Sequence, residues 1–219
     1  MPPKTKVKNR RPLAIRKARV FVAIAKGLLN LGVTPDQISW AGLFFAFLAC
    51  LCLVGAGHQS GPARVWHFVA SAALIELRAL CNMLDGMVAV EGGKQTPWGE
   101  VINDFPDRFS DLFIYVGAGY SITLWSWGPL LGWVAGTLAV LTAYIRVLTG
   151  ALGLKQDFGG VMSKPIRMAL LALTCLVAAF LAGQGGDGWA MAMGLGVISL
   201  GSAITIAQRT SRTIRQLIR

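Results

Sequence analysis

Seven of the ten acidic residues in this 219-residue chain, Glu76, Asp85, Glu91, Glu100, Asp104, Asp107 and Asp111, fall between positions 76 and 111. Residues three, four and seven apart share a helix face, so Asn82, Asp85, Gly86 and Ala89 form one stripe. Gly99, Asn103 and Asp107 form a second, and Asp111 continues it by one turn. A polar turn from Glu91 to Trp98 makes the two stripes antiparallel neighbours that can converge. Two carboxylates (Asp85, Asp107) and two amide oxygens (Asn82, Asn103) at that spacing suit an oxygen cage for a hard divalent cation such as Mg²⁺ or Mn²⁺. Gly86 and Ala89 leave the same face nearly bare, as a flat ligand lying against backbone requires. The competing reading is a set of helix-packing polar groups satisfied by one another and by Arg78 or Arg108.

The elements that carry these residues follow from composition. The chain is 54% hydrophobic and 14% charged, with mean hydropathy +0.58, against about 25% charged in a typical soluble domain. That describes an all-α integral membrane protein, where clustered carboxylates are expensive and mark a functional site. About 20 residues per span divide the apolar runs into six transmembrane helices, near 37–54, 65–90, 97–122, 130–152, 164–183 and 189–207. Residues 13–31 mix basic and apolar residues and read as an interfacial amphipathic helix on anionic lipid, or simply as a positive anchor. The expected organisation is a basic tail and interfacial helix over 1–33, a six-helix transmembrane catalytic domain over 34–208, and a basic tail over 209–219. Thr34 is the expected N-cap of the first span, with Pro35 in its first turn.

Nine of the 21 Lys and Arg residues lie in 1–33 and four in 209–219, which places both ends in the cytoplasm. The same threading puts Lys94, Lys155, Lys164, Arg167 and the acid cluster on that side, in the inner or plasma membrane if the chain is bacterial. An apolar chain of this kind is not a nucleic-acid binder. Val20–Leu31 is interrupted by Lys26 and followed by no small-residue cleavage site, so it is not a secretory signal. Cys50, Cys52, Cys81 and Cys175 sit in apolar runs without zinc-type spacing and read as packing residues. Gly128, Gly132 and Gly136 allow close helix approach, within the bundle or between subunits of an expected homodimer.

The two stripes also carry a family resemblance. Asn82-x2-Asp85-Gly86-x2-Ala89-Val90, eight residues, then Gly99-x3-Asn103-x3-Asp107 resembles the motif of the CDP-alcohol phosphatidyltransferase family. That motif has Asp at the positions of Asn82 and Asn103 and Arg at that of Val90. Thr34-Pro35-Asp36-Gln37-Ile38-Ser39 is similar to the opening of the family's first helix. Tyr144-x-Arg146 and Lys164-Pro165-Ile166-Arg167 resemble the basic positions that hold phosphorylated acceptors.

The resemblance implies transfer of a phosphatidyl group from a CDP-linked lipid such as CDP-diacylglycerol to an alcohol, with release of CMP. Glycerol 3-phosphate or inositol phosphate is the expected acceptor. Asp107 is the implied general base. Asn82, Asp85, Asn103, Asp107 and Asp111 are candidate ligands for one or two Mg²⁺ or Mn²⁺ ions. Asp85, Gly86, Ala89 and Gly99 are assigned to the nucleotide, and Arg146, Lys164 and Arg167 to the acceptor. With two aspartates replaced by asparagine, the four motif positions carry two charges instead of four, which favours one metal ion, or two held weakly. Asp104, Asp111 and Glu76 are the nearby acids that could restore charge. A catalytically silent homologue that binds CDP-lipid or scaffolds a lipid-synthesis complex is the alternative. A transporter is disfavoured, because no repeated pair of discontinuous helices is evident.

Overall fold

The computed structural model describes residues 18–93, 96 and 98–218. The basic tail at 1–12, residues 13–17 of the expected interfacial helix, Lys94 and the expected helix start at Pro97 lie outside them. Among the described residues every regular element is helical: α1 (Arg19–Asn30), α2 (Pro35–His58), α3 (Gly61–Glu91), α4 (Gly99–Tyr120), α5 (Gly128–Ala151), α6 (Lys164–Leu181) and α7 (Asp187–Leu217), with a short 3-10 turn at Ala182–Gln184.

Local chemistry accounts for the boundaries. Thr34 and Gln37 form a reciprocal capping box at the start of α2, with Thr34 Oγ1 accepting from the Gln37 N–H at 3.3 Å and Gln37 Oε1 from the Thr34 N–H at 3.0 Å. Proline occupies the first turn of α2, α3, α5 and α6, where a missing N–H costs nothing. Two boundaries differ from the sequence expectation. The loop expected over 55–64 shrinks to Gln59 and Ser60, because Gly55 and Gly57 stay helical in α2 and α3 begins at Gly61. α7 runs to Leu217 instead of ending near Ala207, so residues 209–217 are helix and not a separate tail.

α2, α5, α6 with its 3-10 turn, and α7 are long and apolar enough to cross a membrane. α3 and α4, of 31 and 22 residues, reach about 46 and 33 Å at 1.5 Å per residue. They carry the acid cluster and are more polar than the other four. The packing partners close a ring: α3 packs on α2, α2 on α4, α4 on α5, α5 on α7, α7 on α6 and α6 on α3. Its core includes Leu53, Phe68, Ile75, Ile114, Tyr115, Leu171 and Leu195. α1 lies outside the ring, with Phe21, Val22, Leu28 and Leu29 against Met83, Leu84, Met87 and Val88 near the end of α3.

At the end away from the acid cluster, Arg64 Nε donates to Asp187 Oδ2 at 2.7 Å and Arg64 Nη2 to the Ser121 carbonyl at 3.2 Å, tying α3 to α7 and α4. Trp125 stacks on Trp127 and meets Trp189 edge-on, as in the aromatic belts of membrane interfaces. At the cluster end, the α5–α6 loop is clamped to α7: Arg209 Nε donates to the Gly159 carbonyl at 2.9 Å and Arg212 Nη1 to Asp157 Oδ2 at 2.9 Å. Partial burial raises the Asp157 pKa, but the Arg212 bond and the Gly159 N–H outweigh it and hold the carboxyl below its ordinary value. The Asp157–Arg212 arm of the clamp is therefore charged at neutral pH and weakens only on acidification through that lowered value.

The glycine row of α5 works inside the chain. A methyl group at Gly132 would lie 2.6 Å from the Tyr115 carbonyl oxygen and 2.8 Å from Gly119 Cα, and one at Gly136 would meet Leu112. Gly132→Ala should therefore destabilise the protein by about 1–3 kcal/mol through overpacking. Gly196→Ala, with no atom within 4 Å of the added carbon, should leave stability unchanged or slightly raised. Thermal unfolding in lipid nanodiscs checks the pair; equal midpoints would refute close α4–α5 contact at Gly132.

Candidate functional site

The two stripes converge on Asp107. Asn82 Nδ2, from the last third of α3, donates to both Asp107 oxygens at 2.7 and 2.8 Å. Arg78, one turn before Asn82 on the same face, donates from Nη2 to Asp107 Oδ1 at 2.6 Å. Lys164, at the first position of α6, brings Nζ to 2.5 Å from Asp107 Oδ2. A carboxylate offers about four lone-pair sites, and these four contacts fill them. Arg108 lies further off, at 3.6 Å from Asp107 Oδ2.

Asp111 lies one turn deeper and is 1% exposed, with Arg78, Arg167 and Lys164 at 3.7, 3.8 and 3.9 Å. Those distances give charge compensation without hydrogen bonds. Arg167, also buried, donates from Nη1 to Thr142 Oγ1 at 2.9 Å and to the Met162 carbonyl at 3.0 Å. On the outer side, Arg146 Nη2 lies 2.5 Å and Arg108 Nη2 3.4 Å from Asp104 Oδ1, while the Arg146 guanidinium lies over the Phe158 ring at 5.3 Å.

Asp85 has a different environment. It is buried and accepts from the Gly86 N–H at 2.5 Å and from the Ser39 hydroxyl at 3.0 Å, so the start of α2 buttresses the stripe on α3. Among the described residues it has no salt bridge. Asn103, Gly86, Ala89 and Gly99 are half-buried along the two stripes, which leaves their faces partly open.

The expected metal set separates on this geometry. Asp107 and Asp111 are already compensated by Arg78, Lys164 and Arg167. Among the described residues no three or more His, Cys, Asp or Glu side chains gather as a metal cage. Asp85 is the carboxylate of the set with no cation in salt-bridge contact among the described residues, and the amide oxygens of Asn82 and Asn103 are of the hard type that accompanies it. The donor chemistry thus fits one divalent ion at Asp85 and does not fit a second shared by Asp107 and Asp111. Glu76 is exposed on α3 and does not join the cluster.

The structure brings Lys164 to Asp107 and Asp111, Arg167 to Asp111 and Arg146 to Asp104, so the three basic residues assigned to the acceptor divide between the inner acids and the outer one. Arg78 is the residue that sequence reasoning left at the margin. Its signal was there: it precedes Asn82 by four positions and lies on the same stripe. Ser39 and Phe158 had no such signal, since nothing in their spacing ties them to Asp85 or Arg146.

No family model matches the chain. It is 29% identical over 203 residues to the phosphatidylinositol phosphate synthase of Mycobacteroides abscessus, covering 88% of this chain and 82% of that protein. Identity is 30% over 200 residues to the Mycobacterium tuberculosis synthase, covering 88% and 84%, and 30% over 204 residues to that of Cutibacterium acnes, covering 88% and 91%. The crystal structure of the M. tuberculosis synthase with CDP-DAG bound superimposes with a TM-score of 0.73 at 26% identity, covering 90% of this chain and 94% of that one. The same enzyme in complex with manganese and citrate gives 0.72, covering 88% of each. Similarity along nearly the whole length, on one helical membrane fold, means that this chain belongs to the CDP-alcohol phosphatidyltransferase family, as a homologue of the phosphatidylinositol phosphate synthases.

Proposed function

We propose that this chain transfers a phosphatidyl group from a CDP-linked lipid such as CDP-diacylglycerol to a phosphorylated polyol, inositol phosphate or glycerol 3-phosphate. The observation that carries the reading is the contact between Asn82 and Asp107, which joins the two halves of the motif across 25 positions. It is supported by relatives named as phosphatidylinositol phosphate synthases and by a solved homologue with CDP-DAG bound. The six long helices cross the bilayer with the acid cluster facing the cytoplasm, in line with the basic residues at that end.

In this reading the acceptor hydroxyl oxygen attacks the phosphorus that bears the diacylglycerol. The bond from that phosphorus to the CMP phosphate oxygen breaks, and the hydroxyl proton passes to Asp107. Asp107 accepts it only after Lys164 or Asn82 gives up a lone-pair site, and an acceptor phosphate that draws Lys164 away does this. Gly86, Ala89 and Gly99 leave room for the nucleotide, and Arg78 holds Asp107 toward the acceptor. A divalent ion, held by Asp85 with the Asn82 and Asn103 amide oxygens, would neutralise the diphosphate charge.

A second reading, a silent homologue that binds CDP-lipid without turnover, is favoured by the filled lone pairs of Asp107. The two separate on CMP release from CDP-diacylglycerol by the purified protein in lipid, with Mg²⁺ or Mn²⁺ and each acceptor in turn. We expect release with a phosphorylated polyol; none with any acceptor would leave only the silent reading. Asp107→Asn should lower turnover on the order of 10²–10⁴-fold, the usual contribution of a general base. Turnover close to the parent's would remove Asp107 from that role.

Asn82→Asp sets two carboxylates against each other, which like-charge repulsion disfavours until a cation arrives. Its thermal midpoint should fall in EDTA and recover with Mn²⁺, with Mn²⁺ affinity raised on the order of tenfold by the added ligand charge. A midpoint insensitive to both additions would overturn the one-ion account.

A further inference from the structure

Two of the cluster's arginines meet an acid that the rest of the site does not use: Arg146, and Arg108, which Asp104 shares with Asp107. Asp104 Oδ1 accepts from Arg146 Nη2 at 2.5 Å, with Arg108 Nη2 at 3.4 Å on the same oxygen. Arg146 belongs to α5 and Arg108 to α4, and the Arg146 guanidinium is faced by the Phe158 ring. Two guanidinium groups converging on one oxygen, one of them backed by an aromatic face, make an anion site of the kind arginine favours. The Asp104 side chain is 38% exposed, against 18% for Asp107 and 1% for Asp111. It is therefore the acid of the three that an incoming anion can most readily displace. Asp104 also sits at the ring end where Lys164 enters, beside the inner acids that hold Lys164 and Arg167.

We infer that Asp104 is a specificity-determining residue: an internal carboxylate that occupies the anion position offered by Arg146 and Arg108, so that a phosphate-bearing acceptor must displace it. The inference rests on the reading of Arg146 as an acceptor-side group. Its consequence is directional. A carboxylate beside the site repels an incoming phosphate and competes for the same donors, which lowers affinity for phosphorylated acceptors. A neutral polyol makes no claim on Arg146 and feels no such penalty. Removing the Asp104 charge should therefore tighten phosphate binding, whereas a residue whose role is to position Arg146 would loosen binding when lost.

The test uses the full chain in lipid nanodiscs and isothermal titration with inorganic phosphate, inositol phosphate and inositol. Asp104→Asn should bind both phosphate ligands at least roughly tenfold more tightly, as expected when a like charge leaves an anion site, with inositol unchanged. The exposed acid Glu91, changed to Gln, should show no gain, and the gain should vanish in Asp104→Asn combined with Arg146→Gln. Unchanged or weaker phosphate binding in Asp104→Asn overturns the inference, as does a gain that survives loss of Arg146. Asp104→Ser is the second variant; loss of the folded state in both assigns Asp104 to packing and equally overturns it. Because binding is read without turnover, a phosphate gain in a protein that releases no CMP keeps this inference and removes the enzyme reading. CMP release without a gain does the reverse.

Discussion

Arg78 is the charge on which the rest of the site depends. Its guanidinium is fully buried between Asp107 and Asp111 of α4, with Met168 Sδ of α6 at 3.6 Å. An isolated charge there would cost several kcal/mol, and so would either carboxylate without it. The three are thus a unit: α3 supplies the cation, α4 the anions, and α6 closes the pocket with Met168 and with Lys164 on the far side of Asp107. α3 and α4 both pack on α2 and not on each other, so this pairing bridges them across the inside of the ring, along with the contact from Asn82 to Asp107.

Much of this arrangement was legible in the spacing of a few residues. The stripe Asn82, Asp85, Gly86, Ala89 and the row Asn103, Asp107, Asp111 follow from helical periodicity, and their meeting through Asn82 and Asp107 was expected, but not that α2 would pack between the two helices that were expected to be neighbours. The capping pair Thr34 and Gln37 reads directly as a helix start. Partnerships across the ring were not legible. Arg146 and Asp104 are 42 positions apart and Arg78 and Met168 are 90 apart. No periodicity on one helix says which face of another it will meet. The length of α7 was hidden for a different reason: Arg209 and Arg212 look like a solvated tail until the carbonyls of Thr142 and Gly159 and the carboxylate of Asp157 are found beside them.

Charge also explains why α3 and α4 stand apart from the other long helices. The ring turns Arg78, Asp85, Asp107 and Asp111 inward, while Glu76 stays exposed on α3. The remaining four helices then present apolar side chains outward, among them Phe44, Trp133, Leu173 and Leu200. The opposite end of the bundle is held by one ion pair, Arg64 with Asp187, and by three tryptophans, so the ring is fastened by polar contacts at both ends and by small-residue packing between them.

The amide at Asn82 has a consequence for how such a bundle is made. Where two facing helices each present a carboxylate, the pair repels until an ion arrives, and helix assembly waits on the supply of that ion. Here Asn82 offers Asp107 an N–H donor, and the attraction is built into the chain. The contacts that hold Asp107 in place are thus all supplied by the chain itself.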